Sequence, residues 1–462
     1  MIHYVSTRGQ AGRRSFEEVL LAGLAEDGGL FVPERWPSWP AEELRALRGL
    51  EYPELAARLL APFTAGCFTE AGLLRLAGRA YAGFGHAATA PLRHFARDSW
   101  LLELFHGPTL AFKDFAMQLL AAMFDEVLAR REERVTIIGA TSGDTGAAAV
   151  HAFAGKAQVR IAMLHPEGRV SPVQRRQMTT VDAPNLLNIA IRGTFDDCQD
   201  LVKAMFADVP FRRELRLSAV NSINWARVVA QTVYYVWAAL RLGAPERAVA
   251  FTVPTGNFGN VYAGRVAAAM GLPVARLVVA TNENDILARF LASGRYQRGR
   301  VTATTSPSMD IQVASNFERW LLELEDGDAG RTCALMQGFG RSGGLAVTGN
   351  LPSLLAGGSA DQAEVAATIA ATWRETGVLA DPHTAVGLAV AARHRPPAGT
   401  PMVTLATAHP AKFPEAVLDA TGVTPALPER YADLMRQPER CLVLDNDLVA
   451  VQAAILERFG AA

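Results

Sequence analysis

Ala248-Val-Ala-Phe-Thr-Val-Pro-Thr-Gly-Asn-Phe-Gly-Asn260 opens as a short apolar run and closes on a glycine-rich turn. Val261–Met270 then carries a helical pattern, and Leu277–Ala280 is a second short apolar run. Strand, turn, helix and strand in that order form the unit of a parallel sheet, because parallel neighbours need a long crossover between them. The turn also carries chemistry. Glycines at 256 and 259 remove the Cβ atoms that would hold an anion off the backbone, and the first N–H groups of a helix have no partner within it. The helix dipole favours negative charge at the same point. A phosphate suits this turn, although a tight strand–helix turn that binds nothing reads equally well from this stretch alone. No Gly-Lys-Ser/Thr follows, so it is not a Walker loop.

The same alternation extends on the N-terminal side. Trp100–Phe105 precedes a helical Phe115–Arg130, Val135–Ile138 precedes Ala147–Ala154, and Val159–Leu164 precedes Pro172–Thr180. This predicts an α/β fold with largely parallel sheets flanked by helices. Residues 1–92 read differently, as a mostly helical N-terminal unit. Ser15 and Glu18 form a capping box before Val19, Leu20, Leu21 and Leu24, with Gly28–Gly29 as the expected stop. Further helical pattern covers Pro53–Leu60 and Glu70–Tyr81, and Gly343–Ser359 reads as a loop or hinge.

Two more strand–helix junctions stand out. Gly139-Ala-Thr-Ser-Gly-Asp-Thr-Gly146 offers three glycines, three hydroxyls and a carboxylate at one helix start. Such a loop can hold a carboxylate or phosphate, or Asp144 or Thr145 can simply cap the helix. In His106-Gly-Pro-Thr-Leu-Ala-Phe-Lys-Asp-Phe115, Lys113 stands among apolar neighbours. Apolar surroundings disfavour the ammonium and leave a nucleophilic amine able to condense with a carbonyl. A lone lysine near a helix end more often snorkels to water. Taken together, a phosphate cradle, an anion loop and a desolvated lysine are what an aldehyde cofactor bearing a phosphate requires.

Composition narrows the field. A chain of 462 residues exceeds what one core usually serves, and a net charge of −1 without a basic cluster argues against nucleic acid. Cys67, Cys198, Cys333 and Cys441 are far apart, which speaks for neither disulfide framework nor zinc knuckle. No His-Glu-x-x-His spacing calls for a metal, and no apolar run approaches bilayer length. The charged start is unlike a signal peptide, so a cytoplasmic location is expected.

His106-Gly-Pro-Thr-x-Ala-Phe-Lys-Asp114 resembles the cofactor-lysine segment of threonine synthases. The likeness extends to Tyr4-Val-Ser-Thr-Arg-Gly9, Gly23-Leu-Ala-Glu-Asp-Gly-Gly-Leu-Phe-Val-Pro33, Ser171-Pro-Val-Gln174, Phe195-Asp-Asp-Cys-Gln199, Asn221-Ser-Ile-Asn-Trp-Ala-Arg227 and Ala406-Thr-Ala-His-Pro-Ala-Lys-Phe413. The resemblance implies fold type II of the pyridoxal 5'-phosphate enzymes, as in the tryptophan synthase β chain. It implies a catalytic region over 93–462 with a smaller mobile α/β domain inserted at roughly 130–235. Lys113 would hold the cofactor as a Schiff base and shuttle protons. Gly256, Asn257, Phe258, Gly259 and Asn260 would bind the cofactor phosphate, and Thr407 would meet the pyridine nitrogen. Ser142, Gly143, Asp144 and Thr145 would face the substrate, with Asn224, Arg227 and Lys412 for its phosphate. The implied reaction turns O-phospho-L-homoserine and water into L-threonine and phosphate, in a monomer or homodimer. The alternatives are a phospho-lyase yielding a 2-keto acid and a catalytically silent binding protein on the same fold.

Overall fold

The computed structural model describes residues 1–349 and 351–460. The chain packs into two compact units. One comprises Met1–His106 with Ser222–Pro425, the other Gly107–Asn221 with the C-terminal residues from Ala426 onward.

The first unit is built on a six-stranded sheet in the order Leu355–Ser359, Val274–Thr281, Val249–Pro254, Met402–Ala406, Ser99–Glu103 and Leu92–Ala96. All neighbours pair in parallel except the last two, which form an antiparallel edge hairpin. Val249–Pro254 is buried at every position, as expected of a central parallel strand covered on both faces. The helix Trp225–Arg241 is buried from Trp225 through Leu240, so it serves as a core element rather than an amphipathic cover. The N-terminal helix Tyr52–Thr64 packs on it: Tyr52 lies 5.2 Å from Trp237 and Phe63 lies 6.0 Å from Trp225, while Trp237 Nε1 donates to the Ala90 carbonyl at 2.7 Å. Glu70–Tyr81 packs in turn on Tyr52–Thr64, with Tyr81 5.0 Å from Tyr52. The N-terminal stretch is thus part of this unit's core.

The second unit holds a five-stranded, fully parallel sheet in the order Leu442–Asp445, Leu186–Arg192, Val159–Pro166, Val135–Ala140 and Leu217–Ser218. Ile138, Leu164, Ile189 and Ile191 bury against Met205 of Phe195–Ala207 and Val451 and Ile455 of Leu448–Phe459. The C-terminal segment joins this unit because its strand Leu442–Asp445 adds in parallel to Leu186–Arg192. A local sequence pattern cannot announce a pairing that spans some 250 residues.

Two local expectations are corrected. The helix begun by the Ser15–Glu18 capping box ends at Ala22, because Gly23 takes φ +69° and returns its N–H to the Val19 carbonyl. Gly343–Ser359 is not one loop: Gly344–Ala346 and Leu355–Ser359 are strands, and its Asn350 lies outside the described residues. Among the described residues no helix is long and apolar enough to cross a membrane.

Ile189, fully buried, should lose about 2–5 kcal/mol on truncation to alanine. Leu442, 44% exposed on the edge strand, should change by no more than about 0.5 kcal/mol. Denaturant unfolding of Ile189→Ala and Leu442→Ala checks both, and equal losses would contradict this placement of the core.

Candidate active site

In the first unit, Gly256–Asn260 follows the carboxyl end of Val249–Pro254, and Thr407, buried, follows that of its parallel neighbour Met402–Ala406. Ligands of parallel α/β sheets gather at such ends. The helix Gly259–Ala269 makes its first internal bond from Tyr262 N–H to the Phe258 carbonyl, which leaves the N–H groups of Gly259, Asn260 and Val261 without partners inside the helix. Phe258 N–H is not available in the same way, since it donates to Gly256 at 2.9 Å. Gly256 admits no side chain, because a Cβ there would lie 2.5 Å from the Ser308 carbonyl oxygen.

The side chains of this turn face different ways. Phe258 is buried in the left-handed region at φ +64° and stacks on Trp320 at 5.5 Å. Asn257 is exposed, and its carbonyl accepts from Asn316 N and Nδ2 at 3.0 and 3.1 Å. Asn260 accepts on Oδ1 from the hydroxyls of Tyr234 and Tyr235 at 2.6 and 2.9 Å, while its buried Nδ2 has no partner among the described residues. Behind the turn, Ser308 N–H donates to His383 Nε2 at 3.3 Å, and His383 Nδ1 faces Asp381 Oδ1 at 2.9 Å. That arrangement puts the ring proton on Nδ1 and fixes the tautomer.

The residues expected at a substrate phosphate are deeply placed. Arg227, on the first turn of Trp225–Arg241, is buried, and desolvation lowers its guanidinium to about 10. Asn224 caps that helix, accepting from Ala226 N–H at 3.0 Å and donating to the Leu20 carbonyl at 2.9 Å, so both ends of its amide are engaged. Lys412 is fully buried in the short turn Pro410–Lys412. That turn is capped by His409, whose Nδ1 accepts from Ala411 N–H at 3.2 Å. Burial pushes His409 down from 6.5 to about 4, with His106 adding to the effect.

In the second unit, Lys113 begins the helix Lys113–Arg130, and Asp144 begins Asp144–Phe153 at the carboxyl end of Val135–Ala140. The amine of Lys113 lies 5.4 Å from the Phe112 ring centre and 3.2 Å from Asp144 Oδ2, with the lysine side chain only 11% exposed. The sequence shows the apolar half of this setting, whereas the carboxylate comes from 31 residues away. Gln174 steadies Asp144 by donating to Oδ1 at 2.7 Å. Gly143 sits at φ +144°, where a Cβ would meet Gln174 Oε1 at 2.5 Å. Neither Asp144 nor Thr145 caps this helix. Thr141 does so from within the loop, its hydroxyl accepting from Gly143 and Gly146 N–H at 3.0 and 2.8 Å. Ser142 is exposed and Thr145 half-buried beside it.

Local reading missed Gln174, Ser308 and His383 as site residues, and counted Thr141 only as one of the loop's three hydroxyls. For Gln174 the conspicuous Ser171-Pro-Val-Gln174 run is a usable signal. For His383 only the unusual Asp381-Pro-His383 helix start hints at a tied histidine.

Each unit has a feature that suits a phosphate-bearing aldehyde: the second a near-buried amine, the first a glycine turn leading to helix-start N–H groups without partners inside the helix, with an orphaned buried amide beside it. Residues 88–351 match the family profile described as "Pyridoxal-phosphate dependent enzyme", which defines the class. Residues 3–81 match "Threonine synthase N terminus", and residues 384–455 match "Threonine synthase, C-terminal". The chain is 52% identical to the threonine synthase of Pseudomonas aeruginosa, over 98% of both chains. It is 37% identical to the human protein "Threonine synthase-like 2", over 98% of this chain and 96% of that one. The crystal structure of pyridoxal-phosphate-bound threonine synthase from Brucella melitensis superposes with a TM-score of 0.98 at 52% identity, all of both chains being covered. The yeast threonine synthase structure gives 0.93 at 36% identity, over 99% and 98%. The chain belongs to the threonine synthase family, with pyridoxal 5'-phosphate as its cofactor.

Gly256→Ala should weaken pyridoxal phosphate binding about tenfold or more, roughly 1.4 kcal/mol, because the turn must shift off Ser308. Gly338→Ala, with open space around it, should leave affinity unchanged in the same fluorescence titration. His409 carries a pH prediction. Between pH 6.5 and about 4 the unfolded chain binds a proton on this residue that the folded protein refuses, so stability falls with acidification across that window. His409→Asn, which can keep the cap, should lose less stability than the parent between pH 7 and about 4. Equal acid slopes in denaturant unfolding would clear His409 of that role.

Proposed function

We propose that the chain converts O-phospho-L-homoserine and water into L-threonine and phosphate, the last step of threonine synthesis. The observation that carries this reading is the near-buried amine of Lys113 at its helix start, 3.2 Å from the carboxylate of Asp144. Lys113 would hold the cofactor aldehyde, and the N–H groups of Gly256–Asn260 its phosphate. For Asn257 the backbone is the working part, since its side chain is exposed, whereas Asn260, anchored on Oδ1 by Tyr234 and Tyr235, also has its buried Nδ2 to offer. Thr407 would offer its hydroxyl to the ring nitrogen. When bound, the cofactor supplies a conjugated ring that takes up the electron pair left behind as a proton leaves the substrate's α-carbon.

The remaining work falls to the chain. Lys113 Nζ removes that proton and later moves protons at the neighbouring carbons, while Asp144, held by Gln174, steadies its ammonium form between transfers. Ser142, Gly143 and Thr145 would receive the substrate carboxylate at the start of Asp144–Phe153, where the dipole favours an anion. Arg227 and Lys412, both buried cations, would hold the substrate phosphate until it leaves, with Asn224 fixing the turn that carries Arg227. A small molecule is the partner this chemistry requires.

Incubation with O-phospho-L-homoserine should release phosphate and L-threonine in equal amounts, without 2-oxobutanoate, and Lys113→Ala should lose both products. Phosphate accompanied by the keto acid would make the protein a phospho-lyase. No phosphate at all would make the substrate assignment wrong.

A further inference from the structure

The backbone that delivers Lys113 is held from an unexpected quarter. Gly107–Phe112 is a strained turn: Leu110, buried, stands at φ +59°, and a Cβ on Gly107 would lie 2.5 Å from Asp114 Oδ2. Bulky residues in the left-handed region cost about 1–2 kcal/mol and persist only where their surroundings over-determine them. Thr109 is secured by Asp114, which accepts from its N–H and its hydroxyl at 2.7 Å each, and by Gln177, which donates to its carbonyl at 3.1 Å. The two carbonyls before it, those of Gly107 and Pro108, are met by side chains more than 300 residues further along the chain. Arg430 Nη2 donates to Gly107 at 2.9 Å, and the Tyr431 hydroxyl donates to Pro108 at 2.7 Å. Both donors belong to the single turn Glu429–Tyr431, where Arg430 lies 4.8 Å above the Tyr431 ring. Burial pushes the Tyr431 phenol up to about 12, so it keeps its proton at any physiological pH.

We infer that Tyr431 and Arg430 are positioning residues for Lys113: the C-terminal segment grips the turn before the lysine and thereby sets where the amine stands. This rests on the reading of Lys113 as the cofactor lysine. The amine must approach the aldehyde carbon closely for the C=N bond to form with loss of water, and a small displacement of such a group costs one to two orders of magnitude. Contacts to the cofactor's phosphate do not depend on that turn, so the grip should affect linkage and spare phosphate recognition.

Two probes separate these effects. Pyridoxal phosphate can link to the lysine, whereas pyridoxamine 5'-phosphate, lacking the aldehyde, reports only the phosphate and ring contacts. Tyr431→Phe removes one hydroxyl and Arg430→Gln one charge. In tryptophan-fluorescence titrations each variant should bind pyridoxamine phosphate within about twofold of the parent, yet bind pyridoxal phosphate about tenfold more weakly, with slower growth of the visible absorption of the linked cofactor. Equal weakening of both probes would reduce the pair to general structural support and overturn the inference, as would unchanged affinity for both. A parent protein that bound neither probe would sink the cofactor reading itself, and this one with it.

Discussion

Parallel strand pairing is the constraint on which the rest of this molecule depends. Every strand of a parallel sheet ends on the same edge, and each must be followed by a chain reversal that leads into a helix. With Val249–Pro254 between Val274–Thr281 and Met402–Ala406, the Gly256–Asn260 turn and Thr407 fall on one edge of the first unit. Val135–Ala140, paired with Val159–Pro166, does the same for Ser142–Thr145 in the second unit. Helix starts at those edges bring unsatisfied N–H groups and the positive end of a dipole, so anion-binding capacity follows from topology before any side chain is chosen.

What the side chains add is fixity. The Ser308 carbonyl presses on Gly256, and its own N–H is taken by His383, whose ring is oriented by Asp381. A second, partly buried network holds the approach to that segment. Asp310 accepts from Asn282 and Asn284 at 2.7 and 3.1 Å, and from the Thr304 N–H and hydroxyl at 2.8 and 2.7 Å. Buried polar groups satisfied in this way stiffen a segment more than apolar packing does, because each alternative position would strand a desolvated donor or acceptor.

How far this could be read in advance depended on sequence distance. The helix Glu70–Tyr81 is legible at both ends, since Leu73, Leu76, Ala77 and Ala80 fall on one face behind the cap at Thr69. The helix Trp225–Arg241 has an apolar period of its own, and what the sequence does not announce is that its opposite face is buried as well. The same holds for the candidate site. The glycine turn at 256–259 and the apolar neighbours of Lys113 are local facts, and the motifs around them carry the family resemblance. Asp144 beside Lys113, His383 behind Ser308 and Tyr431 on Pro108 are meetings of distant segments, separated by 31, 75 and 323 residues, that only the folded chain displays.

Phe258 and Leu110 share a device that links these levels. Each is a bulky residue at positive φ, each is buried, and each lies in a turn carrying candidate site residues. Glycine would relieve the backbone at either place, so the side chain must contribute more than the strain of about 1–2 kcal/mol takes away. Burying a phenylalanine or leucine is worth about 1.5–3 kcal/mol, enough to offset it. Phe258 gains this against Trp320 and Phe317, whose rings lie 5.5 and 6.2 Å away. A glycine in the same conformation would also be free to leave it, whereas an anchored aromatic cannot rotate out without exposing its ring. The left-handed turn is therefore held closed by the hydrophobic effect acting on its own side chain, which keeps the helix-start N–H groups pointing one way whether or not an anion is there to hold them.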